Sequence, residues 1–258
     1  MQLRLRADGR TESRGTAMVC HNERLADPLD SITQALAEIT GKRKKTIEDH
    51  QEIARREFFG GLYTNPVYDW PLDDDLEVTI GLPAWNVLRC LQEGAKRAKR
   101  GPDILRGVSP LVDFAPVTFI HPNPEDSGIE LPEDGMIEGL VSPQDLWLEG
   151  EFQLRKSVGV QRSRTMRTRP IFNEWQLELD VEVDPTVLDV HTIRFMWKDA
   201  GKYAGLGEMR PVYGRFDGTL EVVHIAPEEA QELEKIPTSK DANGTKRARA
   251  KKAAPKAA

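Results

Sequence analysis

Residues 175–183 alternate without a break. Trp175, Leu177, Leu179, Val181 and Val183 are apolar, and Gln176, Glu178, Asp180 and Glu182 lie between them. Successive side chains of an extended chain point to opposite faces, so this run predicts a strand with one buried face. Asp184-Pro185 ends it. Shorter β-type runs predict an opening strand over 2–6, a second over 16–20, and further strands over 76–80, 111–120, 146–154 and 219–225. Residues 159–170 read as an irregular or extended crossing.

Four stretches carry helical spacing instead. Asp30 and Ser31 are N-cap candidates for a helix over 32–39, with Leu36 and Ile39 on its apolar face. The TGKRKK run at 40–45 breaks it. Thr46 starts another helix, with Ile47, Ile53, Ala54 and Phe58 as apolar positions, and Gly60 and Gly61 are expected to stop it. Pro83 suits a first helical position ahead of a helix over 84–99, where Trp85, Leu88, Leu91 and Ala95 recur on one side. The basic KRAKR end of that helix suits the negative end of its dipole, and an ordinary solvated helix end explains it equally. Asp189 caps a helix running to about residue 200, with Val190, Ile193, Phe195 and Trp197 as core candidates.

Helices and strands mix without strict βαβ alternation, which favours α+β over a doubly wound sheet. The order strand, helix, Gly-rich turn, strand near the C-terminus suggests half of a ferredoxin-like unit. Residues 121–146 hold Pro122, Pro124, Pro132 and Pro143 with three glycines and are expected to form a long loop insertion. No internal repeat is visible. The expected organisation is one α+β domain over 1–235 and a disordered basic tail over 236–258.

Composition sharpens this picture at two points. The chain of 258 residues has a formal charge of −6. Residues 236–258 hold seven Lys/Arg and one acid, a surplus of six, so the remainder carries −12. An acidic body argues against a molecule coated with nucleic acid and restricts such binding to a local basic groove. The tail either touches nucleic acid electrostatically or serves solubility. No apolar run reaches the roughly 18 residues of a bilayer span, and the N-terminus has no apolar leader segment. A cytoplasmic, non-membrane protein is the expectation, with Cys20 and Cys90 as free thiols.

Three constellations carry candidate chemistry. Residues 155–169 hold Arg155, Lys156, Arg162, Arg164, Arg167 and Arg169 and no acid. Guanidinium groups pair with phosphate in a planar, bidentate way, and the interleaved Ser163, Thr165 and Thr168 donate hydrogen bonds to phosphate oxygens. A phosphate-tracking groove needs these residue types; a solvated hairpin with acidic partners elsewhere is the plainer reading. Residues 201–216 (GKYAGLGEMRPVYGRF) combine Gly201, Gly205, Gly207 and Gly214 with Lys202, Arg210 and Arg215, and with Tyr203, Tyr213 and Phe216 as stacking faces. The glycines follow a helix rather than open one, so neither the dinucleotide fingerprint nor the P-loop applies, and a helix C-cap with a tight turn is the plainer reading. Third, His21 ends the second strand, where an imidazole can serve as a general acid or base. The other histidines (His50, His121, His191, His224) are dispersed and read as structural. The acidic run at 73–75 with Glu77 reads as a solvated loop, and neither cysteine carries the marks of a nucleophile. No cofactor or metal is expected.

Residues 190–200 followed by GLGEMRPVYGRF at 205–216 resemble the RAMP superfamily, the ferredoxin-like proteins of CRISPR effector backbones and their processing endonucleases. HNERLADPLD (21–30), ITGKRKKTIED (39–49), FFGGLY (58–63) and SRTMRTRPIFNEW (163–175) are similar to a family carried by bacteriophages and integrated elements, a resemblance that spans most of 17–217 and names no activity. The first resemblance implies an RRM/RAMP-like core with helical and loop insertions. It also implies a single-stranded nucleic-acid surface formed by the Gly-rich loop and an Arg-bearing hairpin, and head-to-tail self-association. Glu208, in the centre of the loop, departs from that pattern. The expected function is non-catalytic binding of single-stranded DNA or RNA. The alternatives are a metal-independent endoribonuclease with His21 as general base, and an assembly protein that binds other proteins.

Overall fold

A computed structural model describes residues 1–73, 75–128, 135–160 and 163–224. In chain order, β1 (Gln2–Asp8) and β2 (Met18–Val19) precede α1 (Ser31–Thr40) and α2 (Ile47–Gly61). Then come β3 (Thr64–Asn65), β4 (Val78–Pro83), α3 (Ala84–Lys96), α4 (Gly101–Gly107), β5 (Val108–Pro110) and β6 (Phe114–Ile120). They are followed by β7 (Met136–Ile137), β8 (Leu140–Val141), α5 (Pro143–Glu149), β9 (Gln153–Val160) and β10 (Ser163–Phe172). Last come β11 (Glu174–Val183), α6 (Val190–Asp199) and β12 (Asp217–His224). The fold is mixed α+β with antiparallel sheets.

The main sheet runs β12-β1-β11-β6-β4-β3, with β5 beside β11, β7 beside β6 and β8 beside β4. β1 lies between the last two long strands, pairing Leu5 with Leu179 on one side and Leu220 on the other. The alternation read in residues 175–183 holds: Trp175, Leu177, Leu179, Val181 and Val183 are all buried. With Leu3, Leu5 and Ala7 of β1 they share a core with α3 and α6, which supply Val87, Leu91, Ile193 and Trp197. The opposite face of the sheet presents Arg4, Arg6, Asp8, Glu178 and Asp180.

A second sheet, β2-β10-β9, is three-stranded. It joins the first through rings. Phe119 of β6 meets Phe172 of β10 at 4.7 Å and Phe152 at 5.5 Å between centroids. Helix α2 packs on β10, and its Phe58 and Phe59 contact Trp147 of α5. Both sheets belong to one continuous buried cluster.

Cap chemistry sets the helix starts. Asp30 accepts from the amides of Ile32 and Thr33, Thr46 and Asp49 form a reciprocal capping box, and Asp189 accepts from Thr192. Several expectations are corrected. Gly60 and Gly61 do not stop α2 but form its last turn, because a side chain at either would collide with Leu25 or Pro170. The helix over 84–99 ends at Lys96, and Pro83 is the last residue of β4 and the N-cap of the helix, one position before its first helical residue. Trp85, on the apolar side expected of its helix, and Phe195, a core candidate, are 58% and 62% exposed, and Met196 is buried. Residues 146–154 are not a strand: Ser142 caps α5 through the amide of Asp145, with Pro143 at its first turn, and β9 starts only at Gln153. The crossing over 159–170 belongs mostly to a regular hairpin. The stretch 121–146 contains β7, β8 and the start of α5, so it is not a bare loop. Residues 225–258, including the basic tail, lie outside the described residues. Among the described residues no helix is long and apolar enough to cross a membrane.

Trp175 is fully buried and its indole donates to the Thr16 carbonyl at 2.9 Å. Trp175→Ala removes that volume and leaves the carbonyl unpaired, so it should cost about 3–5 kcal/mol of stability, read as a lower urea midpoint at unchanged slope.

Candidate nucleic-acid interface

The arginine run lies on the β9–β10 hairpin, and the pleat divides it. Arg167 stands opposite Lys156 and Arg169 opposite Leu154, so these three basic groups share one face. Thr168 stands opposite Arg155 and Arg164 opposite Gly159, which places Arg155 and Arg164 on the other. The six basic residues therefore do not form one stripe. Arg162 lies outside the described residues.

On the first face the arginines meet acids of this chain. Arg167 pairs with Glu57 of α2, whose other carboxylate oxygen accepts from the Thr168 amide at 2.9 Å. Glu57 is buried, so its charge is matched by one guanidinium and one backbone donor. Arg169, 7% exposed, pairs with Glu208 of the Gly-rich segment; Nη2 donates to Oε1 at 2.9 Å, and Nη1 is buried with no hydrogen-bond partner among the described residues. Lys156 is exposed, and its ammonium lies 5.1 Å from the Tyr213 ring centroid. Among the described residues, an ion pair and a cation–π contact thus hold hairpin and Gly-rich segment together.

The Gly-rich segment is fastened to β2 as well. Glu208 N–H donates to the Val19 carbonyl at 2.7 Å, Gly214 N–H to Ala17 at 2.8 Å, and the Arg215 amide to the Thr16 hydroxyl at 2.9 Å. Gly205, Gly207 and Gly214 all have φ between 75° and 78°. A side chain at Gly207 would stand 2.4 Å from the Val19 carbonyl oxygen. These glycines let the segment pack closely on its own chain. Arg210 donates to the Gly205 carbonyl at 3.4 Å. Lys202 and Arg97 both lie over Tyr203, at 5.1 and 3.8 Å. The Arg215 side chain is exposed.

His21 sits where these pieces meet. The residue before it bonds β10, Cys20 N–H to Pro170 at 2.9 Å, and the residue after it bonds the end of α2, Asn22 N–H to Gly61 at 3.2 Å. Its own carbonyl accepts from the Tyr63 hydroxyl at 3.0 Å. The imidazole keeps a solvent-facing edge. Partial desolvation holds its pKa below the ordinary value; Arg169 and Arg167 push the same way, while Glu208 and Glu57 oppose them. Burial pushes the Cys20 thiol and the Tyr63 phenol up to about 12, so neither supplies an anion at neutral pH.

The structure therefore brings together His21, Lys156, Arg167, Arg169, Glu208 and Tyr213. It leaves Arg155 and Arg164 on the far face of the hairpin, exposed and without an ion-pair partner among the described residues. Sequence reasoning missed Glu57. A glutamate inside a helix pattern reads as solvated, and nothing local marks the one that a distant hairpin covers. Among the described residues no group of three or more His, Cys, Asp or Glu is placed to hold a metal ion. No family model matches the chain, and no curated protein matches it.

The cluster makes a signed prediction for His21. Its proton NMR titration should fall below the ordinary midpoint of about 6.5. Glu208→Gln removes an anion that supports the imidazolium and should lower the midpoint further. Arg169→Gln removes a repelling cation and should raise it. Equal midpoints in all three proteins would show that the charges do not act on the ring.

Proposed function

We propose that the protein binds single-stranded nucleic acid along the β9–β10 hairpin and the adjoining Gly-rich segment, without catalysis, and assembles along the strand by self-association. The observation that supports this most is that Arg155 and Arg164 on one face of the hairpin, and Lys156 on the other, are exposed cations with no acidic partner among the described residues, on a body that is otherwise strongly acidic. Phosphate tracking needs cations free of internal ion pairs, and local excess charge steers a polyanion to one place. Arg167 and Arg169 are committed to Glu57 and Glu208, so their part is to fix the hairpin that displays the others. Tyr213, beside Lys156, offers a partly exposed ring for stacking.

The same reading takes the core as ferredoxin-like and RAMP-like. In its support, the order β12-β1-β11-β6 sets the first strand between the last two, and α6 connects β11 to β12.

Anisotropy with labelled single-stranded DNA and RNA across a salt series tests the binding. Each phosphate contact contributes about −0.7 to the slope of log affinity against log salt for single strands. Arg155→Gln, Lys156→Gln and Arg164→Gln combined should flatten that slope by about 2. A slope and affinity identical to those of the unaltered protein would reject the hairpin as the contact.

A second reading rests on His21. A depressed pKa leaves the imidazole neutral near pH 7, able to take a proton, and Arg167 and Arg169 are cations close enough to influence it. A metal-independent endoribonuclease would use it as general base on a 2′-hydroxyl. Cleavage of RNA in excess chelator, abolished by His21→Ala with binding intact, is the expected result of that reading; cleavage that survives the substitution removes His21 from the chemistry.

A further inference from the structure

The open face of the main sheet is a cleft of about 930 Å3 whose floor is formed by β1, β11, β6 and β4, with Thr219 of β12 at one side and Glu138 and Gly139 at the other. Its charges are unequal. Arg4 is held bidentately by Asp180 at 2.7 and 2.9 Å, and Arg6 bridges Glu178 at 2.7 Å and Glu221 at 2.8 Å. Arg10 is spent on Asp8 and Glu12. Every arginine of the face is engaged, whereas Glu138, Glu182 and Asp217 have no cationic partner among the described residues. Hydrogen bonding to Asp180 drives the Arg4 pKa upward, and the Arg10 guanidinium holds Asp8 at about 2 against the penalty of burial, so these pairs stay ionised at any working pH. The face repels a polyanion and attracts a polycation.

The chain runs on from the edge of this sheet to a basic stretch. β12 is the outer strand of the sheet and ends at His224. Residues 240–256 contain Lys240, Lys246, Arg247, Arg249, Lys251 and Lys252 among seven basic groups, with Asp241 the single acid. The fifteen residues 225–239 span up to about 50 Å when extended, while the five strands β12 to β4 are roughly 20 Å across. The connection reaches every part of the cleft.

We propose that residues 240–256 dock across this acidic face of their own chain. The contact is electrostatic and lies on a different surface from the hairpin, so it stands or falls apart from the nucleic-acid reading. It holds the basic segment away from solution and from nucleic acid until a stronger polyanion competes for it.

Carbodiimide coupling of the full chain, followed by peptide mapping, tests this directly. At 0.01 M salt, where the screening length is about 30 Å, Lys246, Lys251 and Lys252 should form amide links to Glu138, Glu182 or Asp217 within single chains. At 1 M salt, where it is about 3 Å, those links should vanish. Arg247→Glu with Arg249→Glu keeps every reactive lysine and every face carboxylate and should also abolish them. Links to carboxylates elsewhere, links only between two chains, links that survive high salt or the two reversals, or no links at all would each overturn the docking.

Discussion

The geometry of the candidate interface depends on the continuity of residues 163–183. β10 ends at Phe172 and β11 begins at Glu174, so the chain passes from the small sheet into the large one across the single residue Asn173. β11 has no freedom of register. Its five inward side chains fill the core, and a slip of one residue would turn all of them to solvent. With β11 fixed and Phe172 locked against Phe119 and Phe152, the base of the hairpin is fixed as well. The orientation of the arginines is thus a consequence of packing in the main sheet.

Ionic contacts then set the hairpin face. A buried carboxylate without partners costs several kcal/mol, so Glu57 must be satisfied, and the hairpin offers it a guanidinium and a backbone amide together. The Arg169–Glu208 pair does the same for the Gly-rich segment. Such pairs contribute little net stability over an apolar replacement, but breaking one leaves an uncompensated charge, so they enforce one arrangement of three segments far apart in sequence. His21 inherits its environment from that arrangement, with two cations and two anions around a ring whose main-chain neighbours are hydrogen-bonded on both sides.

Much of the scaffold was legible because its signals are local. Alternation marked β11, and side-chain caps marked α1, α2 and α6 at the residues where they begin. Residues 146–154 misled because Leu146, Trp147 and Leu148 make an apolar run too short to show a period. The deciding signal lay upstream, in Ser142-Pro143 and Asp145, a cap and first turn that outweigh β propensity, and Leu148 is 70% exposed. The site was legible only in part. The hairpin arginines, His21 and the Gly-rich segment were each visible as residues, but the division of the arginines between two faces depends on the register of β9 against β10, which no local signal marks. The acids that hold them come from α2 and from a loop some 40 residues downstream of the arginines.

Charge is distributed in the molecule by surface, and net charge hides this. Along β1 and β11 the outward positions are almost all ionic, and their arginines are consumed by neighbouring carboxylates across the strands. The hairpin does the reverse on its exposed positions, displaying Arg155 opposite Thr168, Arg164 opposite Gly159 and Lys156 opposite Arg167. A polyanion approaching such a molecule meets repulsion over the open sheet and attraction at the hairpin, and because screening reaches only about 8 Å at physiological salt, it responds to the nearest surface and not to the total of −6. An acidic isoelectric point is therefore no argument against a nucleic-acid partner here. On the proposed reading, repulsion from the rest of the body confines a nucleic-acid partner to the hairpin edge.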